Sequence, residues 1–232
     1  MIKEDNEISL IKKACEISDQ AFKNMISKAR LGMRESDLAN ILVYEMRRLG
    51  ASGEAFETIV LSGTRTALPH GKTSDRIIEK GEIVLIDFGA NYQNYKSDCT
   101  RTFFFGQPNE KLKEIYEIVR IANEKVLQEA RPGMTMEEID ALAREYISNK
   151  GYGDDFIHHL GHGIGIEAHE GIRFAKGVKD LLQNNMVMSN EPGIYIDGLG
   201  GVRIEDTVLA TGYGLEALTK LDKKLHIIGL GE

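Results

Sequence analysis

The chain has 232 residues, enough for one globular domain or two half-sized units sharing a core. Hydrophobic residues make up 42% and charged residues 28%, with a formal charge of -7, so the basic excess expected of a nucleic-acid binder is missing. No apolar run could span a bilayer, the start has no signal-peptide layout, and the distant Cys15 and Cys99 read as reduced packing residues of a cytoplasmic protein.

In chain order, apolar spacing at Ile8, Ile11, Cys15 and Phe22 predicts a helix over about 5–29, followed by another over 36–49. Strand-like runs come at 56–61, 83–88 and 100–105. A second helical pair is expected over about 110–130 and 136–150, with Thr135-x-x-Glu138 as a capping box. Strands at 187–189, 193–196 and 202–210 follow. The order is a repeat. Ala29-Arg30-Leu31-Gly32-Met33 recurs as Ala130-Arg131-Pro132-Gly133-Met134 at an offset of 101, where Glu16-Ile17, Ala21 and Gly50 also match Glu117-Ile118, Ala122 and Gly151. Gly50 and Gly151 stand where a helix C-terminal glycine is expected. Two helix-plus-sheet halves, roughly 5–106 and 107–210, predict an α+β, pseudo-twofold architecture with a site at the seam.

The chemistry lies in misplaced charge. Gly81-Glu82-Ile83-Val84-Leu85-Ile86-Asp87 reads as a buried strand ending in an aspartate, where a carboxylate needs a partner. A hairpin closing around Tyr92-Gln93 would set Asp98 directly opposite Asp87, with β-carbons about 4.5–5.5 Å apart. Glu191 precedes Pro192, which favours extended backbone, and a hairpin about Gly198 would set it opposite Glu205. Histidines cluster nearby at His158, His159, His162 and His169, and glycines flank one of them in Gly161-His162-Gly163-Ile164-Gly165. Small neighbours would let the backbone approach a ligand or metal closely. Four carboxylates balance two divalent cations, and oxygen-rich donors with one imidazole suit manganese, cobalt, iron or zinc. Such a metal pair is hydrolytic machinery.

The motifs Ile86-Asp87-Phe88-Gly89, Ser97-Asp98-Cys99-Thr100-Arg101-Thr102, Gly161-His162-Gly163-Ile164-Gly165, Asn190-Glu191-Pro192-Gly193 and Val202-Arg203-Ile204-Glu205-Asp206 together resemble the creatinase/aminopeptidase "pita-bread" family, nearest to its Xaa-Pro peptidases. The resemblance implies a pita-bread fold and a single catalytic domain over residues 1–232 without the family's N-terminal domain. It also implies a homodimeric full-length form and short peptide substrates with proline at the second position. Asp87 would bind one metal, most plausibly manganese, and His162 and Glu191 the other, with Asp98 and Glu205 bridging both. Glu191 would activate a metal-bridging hydroxide, with His70 and His169 assisting catalysis. His70, His158, His169 and Arg173 would face substrate, Arg173 by meeting a dipeptide carboxylate. Arg203 is expected to support Glu205, while His159 and His226 match nothing catalytic. Ile172 departs from the family's usual proline. A methionine aminopeptidase, a non-catalytic binding module and a metal-independent hydrolase of the creatinase type are the rival readings. The surroundings of His70 favour the Xaa-Pro one.

Overall fold

Amphipathic spacing and capping set the helical frame. In the computed structural model, which describes residues 1–229, α1 (Asp5–Lys28) packs on α2 (Glu35–Arg48), and α3 (Glu110–Glu129) packs on α4 (Met136–Asn149). The predicted capping box is present: Thr135 Oγ1 accepts from the Glu138 amide, and the Glu138 carboxylate accepts from the Thr135 amide. Its counterpart at the same offset is Arg34 with Asp37, and each of these cap residues forms an isolated bridge, Arg34 with Ile77 and Thr135 with Leu181. Gly50 and Gly151 end α2 and α4 at φ +106° and +89°, a region that side-chain-bearing residues rarely enter. No helix among the described residues is long and apolar enough to cross a membrane.

The first half carries β1 (Gly53–Glu54), β2 (Ile59–Ser62), β3 (Ile83–Phe88), β4 (Ala90–Tyr92), β5 (Tyr95–Lys96) and β6 (Cys99–Phe105). The second carries β7 (Gly161–Gly163), β8 (Glu170–Phe174), β9 (Val187–Asn190), β10 (Gly193–Ile196), β11 (Gly200–Arg203), β12 (Asp206–Thr211), β13 (Gly214–Ala217) and β14 (His226–Ile228). The two main sheets run β14-β6-β3-β2 and β13-β12-β9-β7-β8. Beyond residue 210 the chain therefore adds β13 to the second sheet and returns β14 to the first, parallel to β6.

One core joins α1 and α2 to the first sheet through Met25, Leu38, Leu42, Val84, Phe88 and Phe103. Another joins α3 and α4 to the second sheet through Val119, Ile139, Ile147, Phe174, Met188 and Val208. Each such side chain contributes about 1.5–3 kcal/mol on burial, so both helical pairs are held by their sheets.

Two hairpins bring the four carboxylates toward the seam. The first turns at Gln93-Asn94, both at positive φ as a two-residue primed turn requires, so Asp87 faces Thr100 and not Asp98. The slip is two residues, which preserves the face: Asp98 is a diagonal neighbour of Asp87 on the same side. In the second, Asn190 pairs with Asp206 and Gly193 with Arg203, which leaves Glu191 and Glu205 facing each other as expected. The expected single strand 202–210 is broken at Ile204-Glu205, where β11 hands over to β12.

The seam between the halves is locked by buried charge. Arg101 on β6 donates from Nη2 to Asp206 Oδ1 at 2.7 Å and from Nη1 to the Glu205 carbonyl at 2.5 Å. Asp206 also accepts from Thr219 Oγ1 at 2.9 Å and Lys223 Nζ at 2.7 Å. These cations hold its carboxyl below the usual carboxylate range in spite of burial. Removing one member strands the others without solvent. Asp206→Ala is expected to lower unfolding free energy by about 3–5 kcal/mol, read as a shifted urea midpoint at constant slope. A loss under about 1 kcal/mol would show that the network does not hold the seam.

Candidate metal and active site

The buried run of β3 delivers Asp87 to the end of its strand, and Asp98 stands just before β6. Asp98 is fixed by its backbone, whose amide donates to Thr207 Oγ1 at 2.9 Å while its carbonyl accepts from the same hydroxyl at 2.7 Å. Glu205 occupies the break between β11 and β12. Its amide donates to the Thr100 carbonyl at 3.1 Å, and its Oε2 accepts from Thr100 Oγ1 at 2.6 Å. Glu191 follows β9, its amide donating to the Leu160 carbonyl and its Oε1 accepting from Ser189 Oγ, both at 2.9 Å.

His162, in the middle of β7, is buried and set among these carboxylates. Its Nδ1 lies 3.1 Å from the Gly163 carbonyl and so carries the proton. Nε2 is left with its lone pair facing Glu191 Oε1 at 3.3 Å and Asp98 Oδ2 at 3.6 Å. Burial, reinforced by His169, pushes His162 down to about 3, so the ring is neutral. The flanking glycines do something other than the sequence suggests. A β-carbon at Gly161 would fall 2.0 Å from the Ser189 carbonyl, and one at Gly165 would fall 2.0 Å from Glu170 Oε1. They make room for β9 and for a carboxylate that Lys3 holds at 2.7 Å.

Burial and mutual repulsion raise the carboxyls. Asp98 and Glu205 stand well above their ordinary values, burial being the larger cause, with Glu205 next for Asp98 and Glu191 next for Glu205. Glu191 is raised to about 7, chiefly by burial. Among the described residues, Arg203 is the cation that reaches these carboxylates. It donates from Nη2 to Asp87 Oδ2 at 2.6 Å, so it supports Asp87 directly and Glu205 only through Thr100 Oγ1, at 3.0 Å from Nε. Asp87 Oδ1 and Glu205 Oε1 are buried without a partner among the described residues. Asp98, His162 and Glu205 each offer a ligand atom within 4.8 Å of the others. Partnerless carboxylate oxygens beside a deprotonated imidazole nitrogen fit a divalent cation.

All five expected ligands line one cavity of about 250 Å3, together with His70, His158 and His169. His70 is exposed at its mouth, and His169 stacks on His162 with ring centres 3.8 Å apart. His158 has both nitrogens engaged, Nδ1 with the His159 carbonyl at 2.8 Å and Nε2 with the Tyr195 hydroxyl at 2.9 Å. Burial lowers it to about 3, so Nε2 accepts from Tyr195, whose oxygen in turn accepts from Arg203 Nη1 at 3.0 Å. Arg173 is exposed on β8 opposite His162 and lies outside the cavity lining. Sequence reasoning missed Tyr195 and Thr100. Strand alternation from Glu191 through Gly193 points to Tyr195, and a β-carbon at Gly193 would meet its hydroxyl at 2.5 Å.

Comparison with known proteins identifies the family and the fold. The sequence profile described as metallopeptidase family M24 matches residues 9–212. An Xaa-Pro dipeptidase of Pyrococcus furiosus is 51% identical over 225 residues, covering 97% of this chain and 65% of that protein. The crystal structure of an X-Pro aminopeptidase from Thermotoga maritima superposes at a TM-score of 0.96 with 46% identity, covering 98% of this chain and 65% of that one. A prolidase structure from Pyrococcus furiosus gives 0.93 with 52% identity, over 95% and 66%. The chain thus spans just under two thirds of the relatives' length.

The raised carboxyls set a pH dependence. An acid whose folded pKa exceeds its unfolded value stabilises the fold while protonated and loses that contribution as pH rises through the folded value, about 7 for Glu191. His158 and His162 are depressed, so they stop contributing above their unfolded pKa of about 6.5. Chelator-treated protein should therefore lose thermal stability as pH rises from about 6.5 through about 7, the Glu191 contribution being gone by about pH 8, while the increment from added Mn2+ grows over the same range. Melting curves with and without the ion check this, and an increment that shrinks with pH would contradict it.

Proposed function

The chain belongs to metallopeptidase family M24, and we propose on that premise that it hydrolyses the peptide bond between an N-terminal residue and a following proline. The observation that carries the reading is the Nε2 of His162 facing a group of buried carboxylates, two of whose oxygens have no partner among the described residues. In it, Asp87, Asp98, His162, Glu191 and Glu205 hold two divalent ions. Manganese is our choice, and cobalt, zinc or iron would suit the same donors. Ions bound there supply Lewis acidity, polarising the scissile carbonyl and acidifying water.

The chain's own residues account for the remaining work. Glu191, which accepts from Ser189 Oγ and faces His162, takes a proton from the attacking water and returns it to the proline nitrogen as the C–N bond breaks. His169, stacked on His162, and His70 at the mouth donate hydrogen bonds to the carbonyl oxygen as its charge grows. His158, neutral and bonded to Tyr195, shapes the wall against which proline packs. Arg173, exposed on β8 opposite His162 though outside the cavity lining, is the cation we assign to the free carboxylate of a dipeptide that extends past the cavity. The proline preference rests on the relatives, which carry both dipeptidase and aminopeptidase names.

A panel of Xaa-Pro dipeptides, longer Xaa-Pro peptides and Met-Ala peptides tests the specificity, with preferential cleavage of Met-Ala peptides pointing instead to a methionine aminopeptidase. Glu191→Gln should lower kcat by about 10²–10⁴-fold at matched metal content, and wild-type turnover would refute its role. Asp98→Asn should remove activity and metal loading together. Metal content that survives this change would exclude a bridging role for Asp98.

A further inference from the structure

Glu35 opens α2, is completely buried, and is not among the residues lining the catalytic cavity. Its Oε1 accepts from the amide and hydroxyl of Ser62 at 2.8 and 2.9 Å and from Arg65 Nε at 3.2 Å. Its Oε2 accepts from the amide and hydroxyl of Ser74 at 3.1 and 2.7 Å. One carboxylate therefore clasps both ends of the 62–74 loop. Arg65 carries the tie onward, donating from Nη2 to the Lys72 carbonyl at 2.5 Å.

His70 lies inside this loop, exposed at the cavity mouth. The rest of the loop is anchored to the opposite half. Thr66 Oγ1 accepts from the Gly201 amide at 2.8 Å, and the Pro69 carbonyl accepts from Arg203 Nη1 at 3.2 Å. A buried carboxylate is costly unless its oxygens are satisfied, and here satisfaction requires both loop ends at once. The position of the loop and the stability of the buried charge are one condition.

We infer that Glu35 is a positioning residue, which by tethering both ends of the 62–74 loop sets where His70 stands over the cavity. The inference rests on the proposed reading for the role of His70, but the tether itself can be measured without turnover. Hydrogen exchange on the metal-loaded chain should show amides of 62–74 exchanging about tenfold faster or more in Glu35→Gln, with α3 and α4 unchanged. Unchanged exchange in the loop would overturn the tether.

A double-mutant cycle then asks whether the effect passes through His70. Glu35→Gln should lower kcat/KM for an Xaa-Pro peptide by about tenfold to a hundredfold in the wild-type background, and by less than about twofold in His70→Ala. Equal losses in both backgrounds would show a general structural effect and defeat the inference. If Glu35→Gln does not fold cooperatively, Ser74→Ala removes one donor from Oε2 and enters the same exchange measurement and cycle. A wild-type chain that cleaves no Xaa-Pro peptide would fail the functional reading, while the exchange measurement still decides the tether.

Discussion

Asp87, Asp98, Glu191 and Glu205 are forced into one small volume at the seam, where water is scarce and each carboxylate repels the others. Much of the surrounding structure moderates that repulsion. Arg203 neutralises Asp87, Thr100 and Ser189 donate hydroxyls to Glu205 and Glu191, and His162 presents an unprotonated nitrogen to the group. These measures are incomplete, since two carboxylate oxygens stay buried without a partner among the described residues. A fold that only needed stability would do better with apolar residues here. The cost is consistent with a site that stores charge for cations.

The scaffold tolerates this because the charge sits between two independently packed cores. Each helical pair covers its own sheet, and the seam is stitched by Arg101, Asp206 and Lys223. That second polar network differs from the first in being balanced: each oxygen of Asp206 has a cation. The two networks adjoin through Glu205 and Asp206, successive residues that face opposite ways, one into the cavity and one into the seam. Alternation at the junction of β11 and β12 thus separates the cavity-facing carboxylate from the one in the seam.

Periodicity made much of this legible in sequence. Helix limits, the capping box and the glycines at 50 and 151 follow from local rules, and the structure agrees within a residue or two. The Asp87 hairpin was misjudged by two residues because Gln93-Asn94 carries no glycine to mark a primed turn, yet the two-residue repeat kept Asp98 on the correct face. What escaped is non-local. The chain from Arg203 through Tyr195 to His158, and the hold of Glu35 on Ser62 and Ser74, join residues whose spacing follows no period. Short strands β7 and β8 also escaped: β7 is Gly-His-Gly, where β-propensity is absent, and β8 is only five residues long with two of them, Ile172 and Phe174, buried. The glycines around His162 were noticed for the wrong reason, as they accommodate protein groups that a one-dimensional reading cannot see.

The parallel return of β14 to β6 has a bearing on how the chain comes into being. His226–Ile228 covers an edge formed by Phe103–Phe105, so the first sheet is finished by residues from the far end of the sequence. Until they dock, the strand that carries Arg101 and three phenylalanines has an open flank, a template for unwanted pairing with other chains. On the ribosome the first half emerges well before its last strand, and such distant pairing is slow to form. The duplicated halves are therefore unequal during biosynthesis: the earlier one depends on the later for its final strand.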